Sequence, residues 1–161
     1  MSALPSPGTR GFSRRTLLAA STAALALVAA GCTSSPPDER ERVTGKQADE
    51  LLGQVAVQET LVAAFTAAGA ADPALAGQVA ELAAQAGEQL ERLRDAAPGA
   101  TPSSTSPGTP PSQAEARSWL RAQVAAAATS HATACVNQSG ARAALLGSIS
   151  AGLRGQDGRL A

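Results

Sequence analysis

Few side chains in this 161-residue chain can do nucleophilic, acid–base or metal chemistry: one histidine, His131, two cysteines, Cys32 and Cys135, and thirteen carboxylates. His131 and Cys135 stand four residues apart, so a helix would put them on one face, and Glu59 is the carboxylate closest in phase to a buried stripe. Two readings of this trio stay open. One is a core imidazole hydrogen-bonded to Gln58, Glu59 or a backbone carbonyl, beside an inert buried thiol. The other is a single transition-metal ion held by Glu59, His131 and Cys135 in a metal-handling or redox protein, although two ligands on one helix without a second pair are a thin set. A lone histidine and no Gly-x-Ser-x-Gly elbow leave no hydrolytic triad, and Gly-rich phosphate loops are missing. The chain reads as non-enzymatic, with no catalytic residue and no cofactor in the leading reading.

Cys32 is set apart by what precedes it. Residues 10–15 carry Arg10, Arg14 and Arg15, residues 16–30 are uncharged, and Gly31 and Cys32 follow. This is the layout of a secretory signal, and the apolar run of 15 residues falls short of the ~20 that cross a bilayer as a helix. Ser13-Arg14-Arg15-Thr16-Leu17-Leu18 resembles the twin-arginine export motif. Val28-Ala29-Ala30-Gly31-Cys32 resembles a lipobox, with Ala29 where the family usually has Leu. The resemblance implies cleavage between Gly31 and Cys32, acylation of Cys32 with palmitate-type chains, and attachment to the extracytoplasmic face of the plasma membrane. Each buried methylene contributes about 0.8 kcal/mol, so two or three acyl chains anchor durably. With Cys32 acylated, Cys135 is an odd thiol in an exported chain, open to an intermolecular disulfide.

Charge follows the same division. The three leader arginines leave ten basic against thirteen acidic side chains after Cys32, a formal charge of −3 for that part. A weakly acidic chain with scattered arginines lacks the basic stripe that phosphate backbones require, so nucleic acid is not an expected partner. The expected partners are membrane lipid, through acylated Cys32, and an envelope protein.

Four amphipathic segments must position these residues. Residues 1–31 form the signal peptide, 32–46 a lipidated N-terminus and flexible tether, and 47–156 a helical domain; a frayed tail of 157–161 follows, suggested by Gly152, Gly155 and Gly158. The first helix runs from Gln47 to about Ala68, with Leu51, Val55, Val62 and Phe65 on its inner stripe. Asp72-Pro73 supplies a cap and a first-turn proline for the second, whose stripe is Leu75, Val79, Leu82, Ala86, Leu90 and Leu93. Its Glu88 and Glu91 point outward. The Pro/Ser/Thr-rich stretch 96–111 is a disordered loop, open to O-glycosylation outside the cell. Ser112-Gln113-Ala114-Glu115 reads as a capping box for the third helix, with Leu120, Val124, Ala127, His131, Ala134 and Gln138 inward. After a break at Ser139-Gly140, Leu145, Leu146, Ile149 and Leu153 mark the fourth. Trp119 falls off its stripe, placed either beneath the Pro-rich segment or on a partner-facing patch.

The fold class is therefore all-α, a four-helix bundle. Sixteen residues of extended linker reach ~50 Å, more than the ~36 Å of a 24-residue helix, so the loop can cross the bundle and start the third helix at the end where the second started. The alternative is a floppy insertion in an up-down bundle. The helix spacing, the middle crossover and the run Leu145-Leu146-Gly147-Ser148-Ile149-Ser150-Ala151 together resemble the ferritin-like domain of small bacterial lipoproteins grouped as DUF4439, over roughly residues 48–156. The resemblance implies a ferritin-like topology. It does not bring a di-iron centre: that needs a Glu on each of two helices and a Glu-x-x-His on each of two others, and no Glu-x-x-His occurs. Inward positions carry Ala86, Gln89, Leu153 and Gln156 instead. The functional expectation is a membrane-anchored lipoprotein whose helical domain binds or organises other envelope components; a carrier using a cavity in the Ala-rich interior is a third reading.

Overall fold

The computed structural model describes residues 44–97, 99–101, 106–109 and 111–161. The export motif Arg14-Arg15, the cleavage pair Gly31-Cys32 and most of the tether lie outside the described residues. Four α-helices account for most of the rest: α1 Gly45–Ala71, α2 Pro73–Ala96, α3 Ala116–Cys135 and α4 Gly140–Leu160. No strand occurs among the described residues. The class is all-α, with the helices packed together around a core of Leu, Val and Ala.

Local chemistry sets the ends. The first helix starts two residues before the expected Gln47, because Thr44 and Gln47 form a reciprocal capping box: the Thr44 hydroxyl accepts from the Gln47 amide at 3.2 Å, and the Gln47 side chain accepts from the Thr44 amide at 3.1 Å. Asp72 ends α1 and starts α2, its carboxylate accepting from the Ala74 amide at 3.0 Å with Pro73 in the first turn. The box expected at Ser112 does not form. Its hydroxyl instead donates to the Glu115 carboxylate at 2.6 Å, and a short 3-10 turn, Gln113–Glu115, leads into α3. Gly140, at φ 54°, takes the left-handed backbone that opens α4.

Pairings along the seams fix the directions. Between α1 and α2, Gln58 meets Ala86 and Gln89 while Gly69 meets Ala76. Between α1 and α3, Gln47 meets Gln138, Gln54 meets Ser130 and Gln58 meets His131. Across α3 and α4, Cys135 faces Ala143, Ala128 faces Ser150 and Arg121 faces Asp157. Across α2 and α4, Glu81 lies by Arg159 and Gln85 by Gln156. All four seams run antiparallel, so α2 and α3 point the same way and the segment joining them must travel the length of the domain. None of its described residues is helix or strand. Trp119, half-buried, borders a shallow recess with Pro107, Gly108, Thr109 and Pro111, which puts the Pro-rich segment beside it.

Every stripe residue expected on the second and third helices is buried. Two expected positions elsewhere are only half-buried: Val62, whose place is taken by Leu61 and Ala64, and Leu145, which sits at the margin beside buried Leu146. The frayed tail is not seen: α4 continues to Leu160, which is 2% exposed and joins the core. Burying Leu160 outweighs the helix-weakening glycines before it. By length and composition α1 alone among the described helices could cross a membrane, and half of its most apolar window is buried within the domain.

Candidate functional site

A band of polar side chains interrupts the apolar core at mid-height. Gln58, at the centre of α1's inner face, and His131, on α3, are both 0% exposed. The Gln58 amide group donates to the Ala86 carbonyl at 2.9 Å and to Gln89 Oε1 at 3.1 Å. A backbone carbonyl can only accept, so this end of the Gln58 side chain is the nitrogen and the other is the oxygen. That oxygen lies 2.9 Å from His131 Nε2, so Nε2 carries the proton and donates. Nδ1 is then the bare nitrogen, buried and without a hydrogen-bond partner among the described residues. Burial pushes the His131 pKa down from 6.5 to about 4, because a charged imidazolium would lose its hydration there. At neutral pH His131 is an uncharged structural donor. It is a poor general base, and solvent does not reach it.

Glu59 is also buried, one residue further along α1. Its carboxylate receives Arg94 Nη2 at 2.8 Å, while Arg94 Nη1 reaches Glu91 at 2.7 Å. The Glu59 hydrogen bond is the main influence holding the Arg94 pKa above its ordinary value, with Glu91 adding to it. Glu88 and Glu91 are solvent-facing, as their helical phase requires.

Other buried polar groups are held within single seams. Gln54 accepts from Ser130 at 3.2 Å, Ser150 donates to the Ala128 carbonyl at 2.8 Å, and Gln138 donates to the Gln47 carbonyl at 2.9 Å. Gln156 donates to Gln85 at 3.1 Å, and its own oxygen is buried with no hydrogen-bond partner among the described residues.

The third member of the expected trio stands apart. Cys135 is half-buried and donates through Sγ to the Ala143 carbonyl of α4 at 3.2 Å. His131 instead turns to α1. The shared face expected from i, i+4 spacing is split because α3 is wedged between α1 and α4, and each side chain takes the seam nearest to it. Among the described residues no three His, Cys, Asp or Glu side chains converge on a point that could hold a metal. The two-metal carboxylate centre typical of ferritin-like proteins does not fit these residues: Glu59 is engaged by Arg94, His131 is a single imidazole, and glutamines fill the neighbouring inward positions.

Sequence reasoning placed Gln58, Glu59, His131 and Gln156 inside but missed buried Ser150 and half-buried Arg94. Helical phase was the available signal for Ser150. Arg94 gave none, since a long side chain reaches inward from an outward position. No family model, curated protein or solved structure matches the chain.

Proposed function

We propose that this chain is a lipoprotein exported by the twin-arginine route and anchored through acylated Cys32 to the extracytoplasmic face of the plasma membrane, carrying a non-catalytic, ferritin-like four-helix bundle that binds or organises other envelope components. The observation that carries the anchor is the order of residues in the leader: paired Arg14 and Arg15, an uncharged run, then Gly31-Cys32. Four antiparallel seams and the parallel course of α2 and α3, bridged by the Pro-rich segment, support the ferritin-like crossover over the plain up-down alternative. Support for the non-catalytic reading comes from the polar band: Gln58 ties the buried His131 to α2 and Arg94 engages the buried Glu59, so both groups are committed to holding helices together.

Metabolic labelling with a fatty-acid analogue tests the anchor. The full chain takes up label and Cys32→Ser does not; label on Cys32→Ser refutes the assignment. Replacing Arg14 and Arg15 by lysine blocks export if the twin-arginine route is used and leaves it intact if the leader is an ordinary one.

A second reading, metal handling, is favoured by one observation, the bare and buried Nδ1 of His131. Elemental analysis of the untagged protein beside His131→Ala decides it. Near-stoichiometric metal that disappears with His131 establishes that reading, and an empty, folded domain removes it.

A further inference from the structure

The four seams make a square in which α3 and α4 form one side and α1 and α2 the opposite one, and charge divides the bundle between these sides. The α3 and α4 helices carry Arg117, Arg121, Arg142, Arg154 and Arg159 against one carboxylate, Asp157, a formal +4, or +3 with Glu115 in the turn before α3. On the other side, α1 and α2 carry Lys46, Arg92 and Arg94 against seven carboxylates, a formal −4, or −5 with Asp72 at their junction. Helical phase sets Arg121 and Arg154 near the centre of the α3/α4 side, among the small exposed residues Ala122, Ala125, Ala151 and Gly158. Nothing bulky there keeps a flat surface away from the two long guanidinium side chains. Neutralisation on this side is partial. Arg121 meets Asp157 at 2.8 Å with both still partly exposed, and Arg159 lies 3.6 Å from Glu81 across the α2 seam. Arg117 is held by the uncharged Gln78 side chain. Arg154 is exposed and has no ion-pair partner among the described residues.

We propose that the α3/α4 side, centred on Arg121 and Arg154, is the face that this protein lays on the anionic phospholipid headgroups of the membrane that holds it. The proposal rests on the anchored-lipoprotein reading above. Eleven residues separate Cys32 from the Thr44 cap, a span of at most ~40 Å when fully extended. The tether therefore lets any face reach the headgroups, and charge decides among the faces. A bundle two helices thick is about 20 Å across, while the Debye length at physiological salt is about 8 Å. With α3 and α4 on the surface, the carboxylates of α1 and α2 stand beyond the screening distance and their repulsion is lost. Turned over, the bundle brings those carboxylates to anionic lipid at contact range and carries the arginines out of reach. Guanidinium groups also suit phosphate oxygens, which they can grip through two N–H groups at once. Spaced arginines that do not match the fixed phosphates of a duplex can each meet a mobile headgroup. So few charges are too weak to hold a free protein on a membrane, but a tether makes the encounter intramolecular, and a weak attraction then suffices to set orientation.

The test uses the full, processed chain in a Cys135→Ser background, reconstituted into phosphatidylethanolamine/phosphatidylglycerol vesicles. An environment-sensitive fluorophore is attached at Ala125→Cys on α3 or, as control, at Ala84→Cys on α2, both exposed and both leaving the charges unchanged; Ala151→Cys replaces the first if it fails to fold. Nitroxide-labelled lipids are expected to quench the fluorophore on α3 about threefold more than the one on α2. The excess should fall to near parity when phosphatidylcholine replaces phosphatidylglycerol, and likewise in the double variant Arg121→Gln/Arg154→Gln. Equal quenching at the two positions in phosphatidylglycerol vesicles, in protein that carries the fatty-acid label, overturns the proposal and leaves the anchor intact. An excess on α3 that survives both the change of lipid and the loss of the two arginines overturns it as well, since charge would not be what orients the domain. Ready disulfide cross-linking of Ala125→Cys between two copies, with no lipid quenching, overturns it in favour of a copy-to-copy interface. Absence of fatty-acid label and of vesicle association removes the anchor and this proposal with it.

Discussion

Protonating His131 should be the acid weakness of this domain. The neutral imidazole is folded into a band where Nε2 already donates to Gln58 and Nδ1 has no acceptor waiting, so a second proton creates a buried cation without a partner. Folding lowers the pKa from 6.5 to about 4. The unfolded chain therefore binds a proton below about pH 6.5 that the folded chain refuses until about pH 4. Stability is full above that window and falls as the pH drops through it. At 1.36 kcal/mol per pKa unit, the loss is about 3 kcal/mol between those limits. Urea denaturation of the chain from residue 33 onward, followed by circular dichroism at a series of pH values, measures it. His131→Leu is the reference, because the carboxylates common to both proteins cancel in the difference. Between pH 7 and pH 5 the protein with His131 should lose about 2 kcal/mol more than the variant, by the same linkage. A zero difference would mean that the imidazole is solvated. A difference of opposite sign, with the histidine stabilising the fold in acid, would mean that it sits beside a carboxylate rather than a glutamine.

Three further outcomes test other parts of the structure. Arg94→Ala takes away a partner of buried Glu59 and should cost about 2–3 kcal/mol in denaturation, below the full range for a buried pair because Arg94 is partly exposed; a loss under 0.5 kcal/mol, the scale of a surface pair, would show Glu59 solvated. Gly155→Ala, with open space around its new Cβ, should stabilise by up to about 1 kcal/mol through helix propensity, whereas Gly69→Ala should destabilise, its Cβ falling 3.1 Å from that of Ala76; equal shifts in thermal midpoint would contradict the close approach of α1 and α2. Deleting residues 157–161 should cost about 2 kcal/mol or more, since it removes buried Leu160, and an unchanged denaturation midpoint would restore the frayed tail.

Much of the helical frame was legible in the chain because its signals are local. Asp72-Pro73 announces a helix boundary by cap chemistry alone, and the six-residue stripe from Leu75 to Leu93 appears in the structure as read. Where a signal needed a choice between equivalent local patterns, reading fell short. Thr44-Gln47 and Ser112-Glu115 both offer a capping box; only the first forms, because the Glu115 amide is taken by the Ser112 carbonyl in a 3-10 turn, leaving the Ser112 hydroxyl to donate to the Glu115 carboxylate. The tail was misjudged because glycine content is visible in sequence and the pocket that receives Leu160 is not. At the polar band, phase placed His131 and Gln58 inside, and a bond to Gln58 was among the options. Which seam each side chain chooses depends on wedging among three helices, so the splitting of His131 and Cys135 had no local signature. The same holds for Arg94, whose reach to Glu59 depends on how α1 and α2 sit against each other.

Intact-mass and N-terminal peptide mass spectrometry of the chain extracted from its membrane decides whether the mature protein begins at an acylated Cys32. An N-terminal peptide starting at Cys32 and carrying diacylglyceryl or triacyl mass is the expected result. A peptide that retains residues before Cys32, or one with an unmodified Cys32 thiol, would contradict it.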